Sequence, residues 1–416
     1  MPDSSRSNFV LYATVAVAGL GYFVDIYDLL LFSIIRIESL KAIGITDALG
    51  APGTSASACS TGRWPAMLIG GVLWGVWGDK KGRLSVLFGS IILYSLANIA
   101  NGFVETVAQY KVLRFIAGLG LAGELGAGIT LVSEIMSKEK RGYGTTIVAT
   151  IGILGAVAAY FVSQVWDWRT AFFVGGGLGI ALLVLRVSVY ESGLFEGMKA
   201  SAVQRGNFLS LFQRRDLFSR YIKCILVGLP TWFVVGILIT LAPEFSQQFG
   251  MSDPIATAGQ AVMWCYLGLT LGDLSSGLIG QWLRSRRKAL LVFHILSALT
   301  MIWYLTSGDI SQSAFYIKIF VIGFGVGYWA VFVTIAAENF GTNLRATVTT
   351  TVPNFARGAL VPITIGFKTA AGPMGLIPAA WLVGGITVAI ALITLHYLPE
   401  TFGKDLDYLE QETTHL

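Results

Sequence analysis

Charge is scarce in this chain. Of its 416 residues, 13% are Asp, Glu, Lys or Arg, about half the 25% usual in a soluble domain. Cysteine is rarer still. Cys59, Cys224 and Cys265 stand at isolated positions, a pattern of neither a disulfide framework nor a metal site. The three histidines have no metal-ligand spacing, so neither metal nor cofactor is expected. No nucleotide-binding motif is present, which argues against an ATPase, and no set of nucleophile, base and orienter suggests an enzyme. A cleavable signal peptide is not evident: the first apolar run, from about Phe9 to Ile35, is too long for one and reads as a retained span.

What the chain has is apolar sequence, 54% of it, and 49 glycines. A membrane-crossing helix needs about 20 apolar residues. Twelve such runs begin near residues 9, 63, 84, 108, 143, 168, 220, 258, 289, 312, 346 and 374. The expected fold is therefore all-α and integral to a membrane, with the lipid bilayer as its surroundings. The net charge of +5 does not point to nucleic acid, because the basic residues sit in short loops between spans. With the N-terminus in the cytoplasm, that side holds 19 of the 29 Lys and Arg residues, the bias that orients membrane proteins. Both termini are then cytoplasmic.

The polar stretch 191–219 divides the chain into a bundle over 1–190 and a bundle over 220–400, each of six spans, followed by a tail over 401–416. A repeat links the halves at an offset of 204 residues. "RFIAGLGLAGELGAGITLVSEIMSKEKRGYGTT" starts at Arg114, and "KIFVIGFGVGYWAVFVTIAAENFGTNLRATVTT" starts at Lys318. Arg114 matches Lys318, Glu134 matches Glu338, and Arg141 matches Arg345. Paired halves suit a transporter that rocks about a central site.

Several segments resemble the major facilitator superfamily. "GVWGDKKGR" (75–83) is similar to its loop signature between spans 2 and 3, "RFIAGLG" (114–120) to its fourth-span motif, "SEIMSKEKRG" (133–142) to the segment closing span 4, and "YLPETFGK" (397–404) to the segment after span 12. "GYFVDIYDLLLF" with "GLAGELGAG" resembles the phosphate:proton and metabolite:proton symporters. "ENFGTNLRATVTTTVPNFARGALVP" (338–362) resembles the organic cation/anion transporters, in which an arginine at the position of Arg357 accompanies anionic substrates. The resemblance implies a monomeric carrier of the cell membrane. It also implies that Asp79, Arg83, Glu134 and Arg141, with Glu338 and Arg345 in the second half, hold the cytoplasmic side shut.

Charges inside apolar runs are the candidate functional residues. Placing an ionised acid at the bilayer centre costs about 2.5–3.5 kcal/mol on insertion scales, and such residues mark functional sites by default. Asp25 and Asp28, one helical turn apart, are read as proton sites with Arg114 as their partner; the alternatives are a packing pair and a permanent salt bridge. Glu124, about 15 Å deeper along span 4 at 1.5 Å per residue, is read as a cavity-lining proton or substrate ligand. Arg357, between Pro353 and Pro362 in a segment expected to unwind, is read as the fixed cation for an anion, or else as the partner of a buried acid. Asn354, Tyr27, Tyr328 and Trp232 complete the expected substrate site, while Tyr22, Tyr266 and Trp329 are further aromatics able to wall a pocket. Asp273 is a weaker candidate, placed with the gating face.

The function expected is proton-coupled symport of a small anionic metabolite, an organic acid in preference to phosphate, by alternating access. Left open are a proton antiporter or exporter of the same fold, a facilitative uniporter for a sugar or organic cation, and a transporter-like receptor or channel.

Overall fold

Backbone amides have no water to bond in a bilayer, so an apolar chain that crosses it must satisfy them within helices. Every described element is helical. The computed structural model describes residues 4–44, 63–137, 139–191, 207–251, 256–406 and 408–410. The expected linker 191–219 falls largely on 192–206, outside the described residues.

The helices run in chain order as α1 (Ser4–Ala42), α2 (Arg63–Lys81), α3 (Arg83–Asn101), α4 (Val107–Leu121), α5 (Glu124–Ile135), α6 (Arg141–Ile153), α7 (Gly155–Val165) and α8 (Trp168–Glu191). After the linker come the short α9 (Ser210–Gln213), α10 (Arg215–Leu226), α11 (Leu229–Phe233), a π-helical turn (Val234–Ile239) and α12 (Ala242–Gln248). The remainder comprises α13 (Ala258–Trp282), α14 (Arg286–Leu305), α15 (Gln312–Gly325), α16 (Trp329–Asn339), α17 (Arg345–Gly358), α18 (Leu360–Met374) and α19 (Leu376–His396). Among the described residues, ten helical stretches are long and apolar enough to cross a membrane.

Burial separates inner from outer helices. The most apolar part of Gln312–Asn339 is 83% buried, whereas that of Leu376–His396 is 33% buried. The outer faces remain apolar, with Trp282, Leu96 and Phe161 exposed, because lipid rather than water is their solvent. Helices then associate through close packing and polar contacts instead of hydrophobic burial. α1 packs against α5, α6, α7 and α8, and α2 lies along α17.

The 204-residue repeat is visible in where helices break. The path from α4 to α5 breaks at 122–123, and that from α15 to α16 at 326–328. Leu154 separates α6 from α7, and Ala359 separates α17 from α18. Breaks expose backbone groups, and distant side chains satisfy some of them. The Asn354 amide donates to the Ala122 carbonyl at 2.9 Å, while Asp273 accepts from the Ala330 amide at 2.7 Å. The segment around Arg357 differs from expectation here. α17 continues through Pro353 to Gly358, and the change of helix comes at Ala359, past the arginine.

Candidate functional site

A central cavity lies between α1, α6, α11, the π-helical turn, α13, α16 and α17. Tyr22, Trp232, Tyr266, Trp329 and Arg357 give it its character, and Thr231 is its small polar group. It measures about 20 Å³, space for a single water where one water needs at least about 10–15 Å³. The room beside the arginine is thus narrow. Pro230 lies in the first turn of α11 and the wider π turn follows that helix, so Trp232 and Val235 reach the cavity from an irregular stretch of span 7. Such π segments often occur at functional sites.

Arg357 is buried. Its guanidinium stands 5.7 Å from the ring centres of both Trp232 and Trp329, which meet edge to face. One nitrogen donates to Asn354 at 3.4 Å. Among the described residues, Nε and Nη2 make no hydrogen bond of good geometry, although the Tyr22 side chain stands beside the guanidinium. Asn354 therefore acts behind the cavity, tying α17 to the span-4 break and steadying Arg357.

Tyr27 and Tyr328, expected in the substrate site, are not among the residues lining this cavity. The Tyr27 hydroxyl donates to the Ala171 carbonyl at 2.9 Å, within an apolar cluster with Trp168 and Phe172. Tyr328 donates to the Val227 carbonyl at 3.3 Å and packs on His294. Their places are taken by Tyr22, Tyr266 and Trp329. A helix turns about 100° per residue, so small shifts in sequence position point a side chain elsewhere.

Glu124, expected as a cavity-lining proton or substrate ligand, is placed beside a partner the sequence reading did not name. It lies apart from the cavity lining, in a buried salt bridge with Arg186 of α8. Ser90 donates to its other oxygen at 3.3 Å, and Arg186 also donates to the Leu87 carbonyl at 2.7 Å. Gly21 of α1 packs directly on the pair: a Cβ there would lie 2.0 Å from Glu124 Oε1 and 2.1 Å from Arg186 Nη2. A larger residue there would require the carboxylate and guanidinium to shift. Arg186 was the signal available in the sequence, a lone cation in "ALLVLRVSVY" (181–190) that needs a partner at that depth.

Asp25, Asp28 and Arg114 are all buried. Asp28 Oδ1 faces Gly175 of α8, where an added Cβ would approach to 2.3 Å. The Arg114 guanidinium lies 3.6 Å from the ring centre of Phe32. Phe32 follows Asp28 by one turn, so α1 presents both on one side. Tyr22 and Ile26 of α1 line the cavity, on the same helix as the two acids.

The six residues expected to form the gate come together. Arg83 binds Glu134 at 2.8 Å and Asp79 at 3.3 Å. Arg345 binds Glu134 at 3.3 Å, and Arg141 binds Glu338 at 2.9 Å. Each arginine of the repeat thus pairs with the glutamate of the other copy. Asp79 also accepts from the amides of Ala346 and Thr347, at 3.0 and 2.8 Å, where the start of α17 favours a negative charge. Sequence reading missed two contributors. Arg286 serves Glu338 at 3.4 Å as Arg83 serves Glu134, and the tail carbonyls of Lys404 and Leu406 accept from Arg141 and Arg345. Glu400 lies outside the spans. Burial pushes its carboxyl up, but the Ser285 hydroxyl and the amides of Phe402, Arg286 and Thr401 outweigh this and hold it below its usual range.

Comparison with known proteins fits this architecture. Residues 11–363 match the model of the Major Facilitator Superfamily. The niacin transporter NiaP of Acinetobacter baylyi is 25% identical over 411 residues, covering 91% of this chain and 88% of its own. The cis,cis-muconate transport protein of the same organism is 26% identical over 366 residues, covering 83% and 84%. A solved structure of the proton:xylose symporter XylE superposes with a TM-score of 0.74 at 16% identity, covering 96% of this chain and 98% of that one. The chain belongs to the Major Facilitator Superfamily and is a multi-pass transporter of the cell membrane, not an enzyme.

Proposed function

We propose that this transporter carries a small organic carboxylate, bound at Arg357 between Trp232 and Trp329, in symport with protons. The observation that carries the reading is the buried guanidinium with two nitrogens that make no hydrogen bond of good geometry among the described residues. A buried donor without an acceptor costs about 1–3 kcal/mol, more when charged. A carboxylate removes that cost and meets the flat donor fork at two points. The tryptophan walls favour an organic anion over inorganic phosphate, which would need more donors. Niacin and cis,cis-muconate, named for the two relatives, both carry carboxylates, which supports the same class.

Asp25 and Asp28 are proposed as the proton carriers, with Arg114 as the fixed cation near them. A protonated aspartate weakens its hold on a neighbouring arginine, and deprotonation restores it. Each proton thus biases a two-state element. The reading includes twelve spans with both termini in the cytoplasm, and the bundles 1–190 and 220–400 rocking about the cavity, closed on the cytoplasmic side by the arginine–glutamate pairs. Alternating access then opens the small cavity to one side at a time.

Uptake into proteoliposomes tests the coupling. With acid outside and alkali inside, symport predicts accumulation of a labelled carboxylate above its external concentration, and Asp28→Asn should abolish accumulation while retaining exchange. Accumulation unaffected by the proton gradient would contradict it.

A further inference from the structure

The break before α16 is held by a carboxylate from another helix. Asp273 of α13 is fully buried, one turn beyond Leu269 and two beyond Tyr266, both in the cavity wall. Its Oδ1 accepts from the Ala330 amide at 2.7 Å. Ala330 lies in the first turn of α16, which starts at Trp329. The first amides of a helix lack partners within it, and the residue before α16, Tyr328, makes no side-chain cap. Asp273 supplies the missing acceptor.

Two glycines make this reach possible. An added Cβ on Gly327 would lie 2.6 Å from the Gly272 Cα and 2.7 Å from the Asp273 nitrogen. The backbones of spans 8 and 10 touch there, beside the carboxylate. The other oxygen, Oδ2, is buried and has no hydrogen-bond partner among the described residues.

The ionised group gains a charge-assisted bond and the favourable field of a helix start, but leaves one charged oxygen bare. The neutral acid loses that exposed charge and bonds the amide more weakly. Trp329 is at once the first residue of the capped helix and a wall of the cavity.

We propose that Asp273 is a further proton-binding residue, positioning Trp329 in the substrate cavity according to whether it carries a proton. The proton comes from water through the cavity and rests on Oδ2. The Ala330 amide then faces a neutral acceptor, and the start of α16 loosens. This goes beyond the aspartates of α1 and rests on the reading that the cavity around Arg357 holds the substrate.

The surrounding charges give the proton a direction. Asp273 lies one turn beyond Leu269, which lines the same cavity as Tyr22 and Arg357. Other charged groups on the packed elements are engaged elsewhere: Glu338 of α16 with Arg141 of α6 and Arg286 of α14, and Lys318 of α15 with Ser307. His294 of α14 lies against the Leu290 and Val227 carbonyls. A carboxylate that neutralises Arg357 removes a positive field and favours the proton on Asp273. Anion and proton then raise each other's affinity, as linkage requires.

The test follows Trp329 by intrinsic fluorescence in the purified full-length transporter, without transport. Subtracting the spectrum of Trp329→Phe isolates its signal, which is titrated between pH 5 and 9. The expected result is a single step in the wild type that is lost in Asp273→Asn, whose amide oxygen can still accept from Ala330. Benzoate should raise the midpoint by about half a pH unit or more. A flat wild-type signal, or a step that survives in Asp273→Asn with its midpoint unchanged, would overturn the proposal. Should the asparagine variant not fold, Asp273→Glu must move the midpoint; an unmoved one overturns the proposal equally. A step that follows Asp273 but ignores benzoate upholds the proton site and counts instead against carboxylate binding at Arg357.

Discussion

Arg141 donates to Glu338 at 2.9 Å, a contact between one copy of the internal repeat and the other. The counterpart residues, Arg345 and Glu134, meet at 3.3 Å. The two bonds are related as a two-fold exchange would relate them, and both must break for the cytoplasmic face to open on the proposed reading. Their strength therefore sets the balance between the two states.

Glu338→Gln should shift that balance. It leaves Arg141 and Arg286 facing a neutral amide in a buried site, and removing one partner of a buried pair costs about 3–5 kcal/mol. Cysteine labelling at the cytoplasmic end of α16 should become faster in this variant than in the wild type. Equal labelling rates would show that the pair does not hold the face closed.

Glu124→Gln tests the second buried pair, and stability is its readout. Arg186 would be stranded, again at about 3–5 kcal/mol, so Tm should fall by several degrees. Gly21→Ala should act in the same direction, since its Cβ would lie 2.0 Å from Glu124 Oε1. A full-strength Tm in both variants would show that the pair carries no structural load and would reopen a role for Glu124 in the cavity.

The tail bond at Glu400 should be sensitive to acid. Its carboxyl lies below the usual carboxylate range, because the Ser285 hydroxyl and nearby amides outweigh burial. A depressed folded value means its contribution is complete above the unfolded value, near 4.3, and fades as pH falls through the folded one. Hydrogen exchange at Arg286 and Phe402 should accelerate as pH drops below about 4, after correction for intrinsic rates, and Glu400→Gln should flatten that dependence. The same acid response in Glu400→Gln would assign it to another group.

How much of this was legible in the sequence follows from what lipid rewards. The bilayer demands a helix of about 20 apolar residues for each crossing, so starts expected at 63, 168, 258 and 312 coincide with those of α2, α8, α13 and α15. The arginine–glutamate cluster was legible because Glu134, Arg141, Glu338 and Arg345 recur at fixed spacing, which a general bias toward cytoplasmic cations does not require. The cavity wall was harder to read. In water a helix marks its inner face by being apolar, but here lipid makes the outer face apolar as well. Nothing in "GYFVDIYDLLLF" tells Tyr22 from Tyr27. Glu124 and Arg186 meet across 62 residues, and Asp273 and Ala330 across 57, pairings that no local pattern announces.

Carboxylate affinity at Arg357 tests the central claim most directly. Binding of benzoate and of neutral benzamide to the purified transporter is measured by calorimetry, in the wild type and in Arg357→Gln. Hydrogen bonds to a charged group contribute about 1.5–3 kcal/mol, so benzoate should bind the wild type roughly ten- to a hundredfold more tightly than benzamide, and the substitution should erase that preference. An undiminished preference in Arg357→Gln would contradict the account.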